Sequence, residues 1–113
     1  MIRVELHETK RAYALFAYGH AEYADYGKDV VCAGVSALIF ALGQAVEDMA
    51  DEGLFELEPM IEISPGRAEI VAFSGWKELE RIKGAFDTAR AGLELIAGDY
   101  PGNLSIERKR HAV

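Results

Sequence analysis

Ile2, Val4 and Leu6 alternate with Arg3, Glu5 and His7 at the start of the chain, the period of two that marks a strand with one buried face. The polar group Glu8-Thr9-Lys10 predicts a turn. Ala12 to Tyr18 follows, apolar on both faces, which predicts a more deeply buried second strand paired with the first as a hairpin. Gly19 ends it, and residues 20–28, unpatterned but bearing Tyr23, Tyr26 and Gly27, read as a loop. From about Val30 to Asp51 the period changes, with Val31, Val35, Leu38, Leu42, Ala45 and Met49 at spacings of three and four, the stripe of a helix lying on a sheet. Ile39, Phe40 and Val46 make other sides apolar too. Such a helix needs cover on two faces, so a second helix or a partner subunit has to supply what one sheet cannot. Gly53 is a stop signal.

Met60, Ile61 and Ile63, the turn Ser64-Pro65-Gly66-Arg67 and the run Ala68 to Phe73 predict a second hairpin, its turn set by proline and glycine. Ser74 or Gly75 is placed to cap an amphipathic helix in which Trp76, Leu79, Ile82, Phe86, Ala89, Leu93 and Ile96 form one face. Gly98, Pro101 and Gly102 end that helix. Leu104 and Ile106 then alternate with Ser105 and Glu107 in a last strand, and the tail from Arg108 to Val113 is expected to be loose. The order ββαββαβ predicts an α+β fold, a mainly antiparallel sheet with two helices packed against it, in a single domain over residues 1–113. No glycine-rich turn follows a strand at the spacing of a dinucleotide-binding unit.

Charge narrows the partners. Nineteen acidic residues against twelve basic ones give a net charge of −7, the wrong sign for a protein that neutralises phosphates, so direct nucleic-acid binding is not expected and a basic partner suits it better. One cysteine permits no internal disulfide, the start MIRVELHE is not a secretion signal, and the apolar runs look too interrupted to span a bilayer. A reducing cytoplasm is the expected location. Three scattered histidines and one cysteine give no close ligand pair, so neither a metal nor a cofactor is expected.

The candidate chemistry lies between Gly19 and Leu38. Asp29 stands just before the long helix as its N-cap, which puts Cys32 in the first turn, where unpaired amides and the positive end of the helix dipole favour a thiolate. His20, on the preceding loop, is near enough along the chain to fold back toward the sulfur as a base. Each residue also has a plainer reading. Free cysteine is often just a small buried hydrophobe, His20 a loop-bracing imidazole, Asp29 a cap without any hold on His20, and Ser36, one turn beyond Cys32, a hydroxyl bonded back to the backbone. Ala33, Gly34 and Ala37 are small residues that leave room for another chain at the helix start. Tyr18, Tyr23 and Tyr26 offer an aromatic surface to a substrate or simply cover the core.

Gly19, His20 and Ala21, followed by Gly27, Asp29, Val30, Val31, Cys32, Ala33, Ser36 and Ala37, spell GHA and G-x-D-V-V-C-A-x-x-S-A, a pattern that resembles the ribosomal-processing cysteine protease family. Members of that family are small cytoplasmic homodimers that remove an N-terminal extension from a large-subunit ribosomal protein, cutting after a short apolar segment that contains aromatic residues. The resemblance implies that Cys32 is the nucleophile, His20 its base and later acid, and Asp29 the residue that organises the pair. It leaves Gly19, Ala33 and Ser36 as supporting or substrate-binding positions. Backbone N–H groups near Cys32 and Ala33 are then the expected oxyanion donors. The alternative from another class is a non-catalytic ribosome-associated binding protein whose cysteine only packs. A thiol redox sensor would need a resolving cysteine from across a dimer.

Overall fold

The elements form where the periodicity put them. The computed structural model describes residues 1–25, 28–73 and 79–111. It contains strands β1 (Ile2–Glu8) and β2 (Ala12–Tyr18), helix α1 (Val30–Asp51), strands β3 (Met60–Ser64) and β4 (Arg67–Phe73), helix α2 (Leu79–Asp99) and strand β5 (Leu104–Arg110). The expected cap at Ser74 or Gly75 and the helical position of Trp76 lie outside the described residues, as do Tyr26 and Gly27.

The sheet order is β3-β4-β2-β1-β5. Both hairpins are antiparallel and so is the β2–β4 pair, while β1 and β5 run parallel, so the sheet is mixed and mostly antiparallel. Each helix is a crossover between strands of like direction, α1 from β2 to β3 and α2 from β4 to β5. Crossovers of this kind are right-handed. Because β2 and β4 point in opposite directions and their crossovers leave toward opposite edges, both helices land on the same face of the sheet.

That face carries the core. Leu6, Leu15, Ile70 and Ile61 stand side by side in register across four strands. They join Val31, Val35, Ile39, Leu42, Val46 and Met49 of α1 and Ile82, Phe86, Ala89 and Leu93 of α2. The helices approach closely because each presents a glycine: a Cβ on Gly34 would sit 3.2 Å from Ile96 Cδ1, and one on Gly92 would overlap Leu38. Thus α2 supplies the second cover that α1 was expected to need, and Gly34 takes up an intramolecular contact. The helix ends in a Schellman motif at Gly53 (φ +78°), with Leu54 N–H donating to the Met49 carbonyl and Gly53 N–H to that of Ala50.

Two expectations are corrected. The chain is not loose from Arg108: Arg108, Lys109 and Arg110 continue β5 beside Leu6, His7 and Glu8, and His111 N–H donates to the Glu8 carbonyl. The basic run reads as a solvated tail, but β1 supplies its counter-charges, with Lys109 on Glu5 at 3.1 Å and Arg110 on Glu8 at 3.5 Å. For the same reason β1 is an inner strand, and His111, expected in the loose tail, stands with a ring nitrogen 3.1 Å from one of His7. Finally, α1, at 22 residues, is long and apolar enough to cross a membrane by length and composition. Here one side of it is core.

Truncating the centre of this layer is expected to be costly. Leu15→Ala removes a side chain with no solvent exposure and should lower the unfolding free energy by about 2–5 kcal/mol in urea titration. Leu95→Ala, at a largely exposed position, should stay within about 0.5 kcal/mol of the parent.

Candidate active site

Three chain segments meet at the end of the sheet where β2 finishes, α1 begins and the β3–β4 turn folds over. Together they line a cavity of about 360 Å³ that includes Gly19, His20, Cys32 and Ser36. Its walls are mostly apolar, with Ile2 and Ala17 from the sheet, Val35, Ile39 and Phe40 from α1 and Ile63 from β3. This is the size and character of a pocket that binds a small ligand or a side chain.

Asp29 organises one edge. Its Oδ1 accepts from Cys32 N–H at 2.9 Å, which caps α1, and its Oδ2 accepts from Tyr23 N–H at 2.9 Å and Ala24 N–H at 3.2 Å, which fastens the loop after His20. Those hydrogen bonds, the one from Cys32 first, hold its carboxyl below the usual aspartate value. Both oxygens are thus committed to backbone donors, and Asp29 acts as a cap and loop brace. The expected oxyanion donors are engaged as well, Cys32 N–H by the Asp29 carboxylate and Ala33 N–H by the Asp29 carbonyl at 3.0 Å. An oxyanion site at those two amides is therefore not supported: the cap has used the first and the opening turn of α1 the second.

Further contacts pin the rest of the loop. Asn103 Nδ2 donates to the Ala21 carbonyl at 2.8 Å, and the Tyr23 ring meets Tyr100 edge-on, so the α2–β5 connection holds the loop from behind. Of the tyrosines proposed as a substrate surface, Tyr18 lines the cavity and Tyr23 covers Tyr100. Gly19 has φ +98°, where a Cβ would run into the Met1 carbonyl, so only glycine turns the chain here from β2 to His20.

Cys32 is partly buried and His20 exposed. Among the described residues, the Cys32 sulfur, the His20 ring and the Ser36 hydroxyl have no hydrogen-bond partner, so all three are free to meet a ligand in the cavity they share. Catalytic hydrogen bonds are often loose before substrate arrives. The structure brings Gly19, His20, Cys32 and Ser36 together and leaves Asp29 and Ala33 outside the lining. Sequence reasoning missed the wall formed by Ser64, Pro65, Gly66 and Arg67, because nothing along the chain links that turn to His20.

A partly buried thiol and an imidazole opening on one cleft are the equipment of a cysteine protease, and residues 1–105 match the family model described as "Cysteine protease Prp". The chain is 42% identical over 92 residues to the ribosomal processing cysteine protease Prp of Bacillus subtilis, covering 78% of each protein. It is 29% identical over 99 residues to that of Mycoplasma genitalium, covering 86% of this chain and 89% of the relative. Its fold is also that of S. aureus Prp solved with a covalently linked product peptide, with a TM-score of 0.76 at 26% identity over 96% of this chain and 100% of the other. The chain belongs to the Prp family of ribosomal processing cysteine proteases.

The lowered Asp29 carboxyl fixes the sign of one pH dependence. A carboxyl held below its unfolded value contributes stability above that unfolded value, and the contribution is lost as pH falls through the lowered folded one. Asp29→Asn should therefore lower Tm near neutrality, and the gap from the parent should close as acid protonates Asp29. Thermal melts across acidic pH check this; a gap that stays constant into strong acid contradicts the assignment.

Proposed function

We propose that the protein is a cytoplasmic cysteine endopeptidase, a single domain over residues 1–113, that removes the N-terminal extension of a large-subunit ribosomal protein, with Cys32 as nucleophile and His20 as base. The observation that carries this reading is the shared cavity: the sulfur at the mouth of α1 and the imidazole after β2 line it together. Cys32 opens on that cavity from the first turn of α1 with the His20 imidazole on the same cavity, the arrangement in which a base takes the thiol proton. The thiolate attacks the scissile carbonyl, and the imidazolium gives its proton to the departing amine. The same ring then takes a proton from the water that releases the acyl group. Ser36, with its hydroxyl unbonded one turn on from Cys32, is a polar group of the lining that can contact the substrate backbone.

Two features support the substrate class. The apolar lining suits the apolar, aromatic-containing segment that the family resemblance implies on the acyl side of the cut. A net charge of −7 favours encounter with a basic ribosomal protein. The relative from S. aureus has also been solved with a substrate peptide, and its covalently linked product is what an acyl-transfer protease would leave on a nucleophile.

A homodimer is part of the same reading. Val30, Ala33, Ala37, Phe40 and Ala41 form one exposed stripe along α1, opposite its core face, and Phe40 also lines the cavity. Pairing two such stripes would cover the remaining apolar side.

Cys32→Ser and His20→Ala should each fold as the parent does, by circular dichroism, and abolish cleavage of a peptide spanning the extension junction. Turnover retained in either variant rejects the assignment. Iodoacetamide near pH 7 should alkylate Cys32 readily in the parent and more slowly in His20→Ala. Ala37→Arg should shift the protein from dimer to monomer in sedimentation equilibrium; a parent that is monomeric removes the dimer from the reading.

A further inference from the structure

The His20 ring is exposed and, among the described residues, unbonded, so something other than a hydrogen bond has to limit where it points. The β3–β4 turn does this. A Cβ on Gly66 would lie 2.8 Å from His20 Nε2, closer than real Cβ atoms approach a neighbour, and a tight 3.2 Å from Cε1. The far edge of the ring therefore rests on a bare Cα. The same residue grips the chain beside the ring, since Gly19 N–H donates to the Gly66 carbonyl at 2.9 Å. Pro65 and Gly66 occupy the two central positions of the turn, with Gly66 at φ +75°, the arrangement of a type II turn.

We propose that Gly66 is a positioning residue for the His20 imidazole: the absent side chain is the seat of the ring, and the turn that closes one wall of the cavity also aims the ring into it. The proposal rests on His20 serving as the base, and it adds a requirement for glycine beyond the one the turn imposes. A left-handed φ admits asparagine at modest cost, whereas a Cβ at this position fits only if the His20 ring moves away from it. Any side chain at residue 66 pushes the ring off its seat, and a displacement of about 1 Å at a reacting group costs about a hundredfold in rate.

Gly66→Asn is the test, with Gly53→Asn as its match. Gly53 has φ +78° and nothing within 4 Å of a built Cβ, so it carries the backbone cost alone. Gly66→Asn should lower kcat by about ten- to a hundredfold with KM nearly unchanged. It should also displace the His20 imidazole resonances and their titration in NMR spectra, and move the pH profile of Cys32 alkylation toward that of His20→Ala. Gly53→Asn should leave all of these unchanged. A double-mutant cycle covers the case of poor folding: the Tm loss caused by Gly66→Asn should shrink in a His20→Ala background, where the ring is gone. Parent-like kcat and NMR titration in Gly66→Asn, or a Tm loss unchanged by removing the ring, overturns the proposal. If instead His20→Ala keeps its turnover while Gly66→Asn still moves the His20 resonances, the seat stands and the base assignment falls.

Discussion

One carboxylate fixes the relation between the two halves of the site. With one oxygen Asp29 closes the first turn of α1 at the Cys32 amide, and with the other it holds the backbone of Tyr23 and Ala24. Among the described residues, that bridge ties the loop after His20 directly to the start of the helix bearing Cys32. Such a loop is expensive to order by chain entropy alone. The bridge supplies order at the cost of the Cys32 amide, and the first hydrogen bond of the helix takes the Ala33 amide, so neither is left as a donor for a substrate oxygen.

The rest of the architecture brings a third segment to this junction. Crossovers in opposite directions from antiparallel strands put α1 and α2 on one face, and the register of β2 with β4 sets Tyr18 opposite Arg67. The β3–β4 turn thereby comes to lie beside Gly19 and His20, completing a cavity whose walls come from distant parts of the chain. From behind, Asn103 and Tyr100 hold the loop, so the α2–β5 connection contributes to the site without lining it.

Much of this was legible residue by residue. Alternation gave β1, spacing gave α1 and α2, and proline with glycine gave the second hairpin, because these signals are local and repeat with the period of the backbone. The tail was misread for an equally physical reason. Arg108, Lys109 and Arg110 lack an apolar face, and their order comes from pairing with β1, whose Glu5 and Glu8 also supply counter-charges to Lys109 and Arg110. The role of Asp29 was half legible: its cap follows from its place before the helix, whereas its second bridge depends on how the loop curls back.

The sequence by itself determined the element order, the α+β class, and the placement of a cysteine at a helix mouth shortly after a histidine. Those features follow from short-range periodicity, capping and motif spacing. Only the tertiary structure decided that β5 pairs parallel with β1, that α2 covers the second side of α1, and that Gly66 meets the His20 ring. Contacts of that kind are set by how crossovers and register bring far segments together, and no local pattern along the chain encodes them.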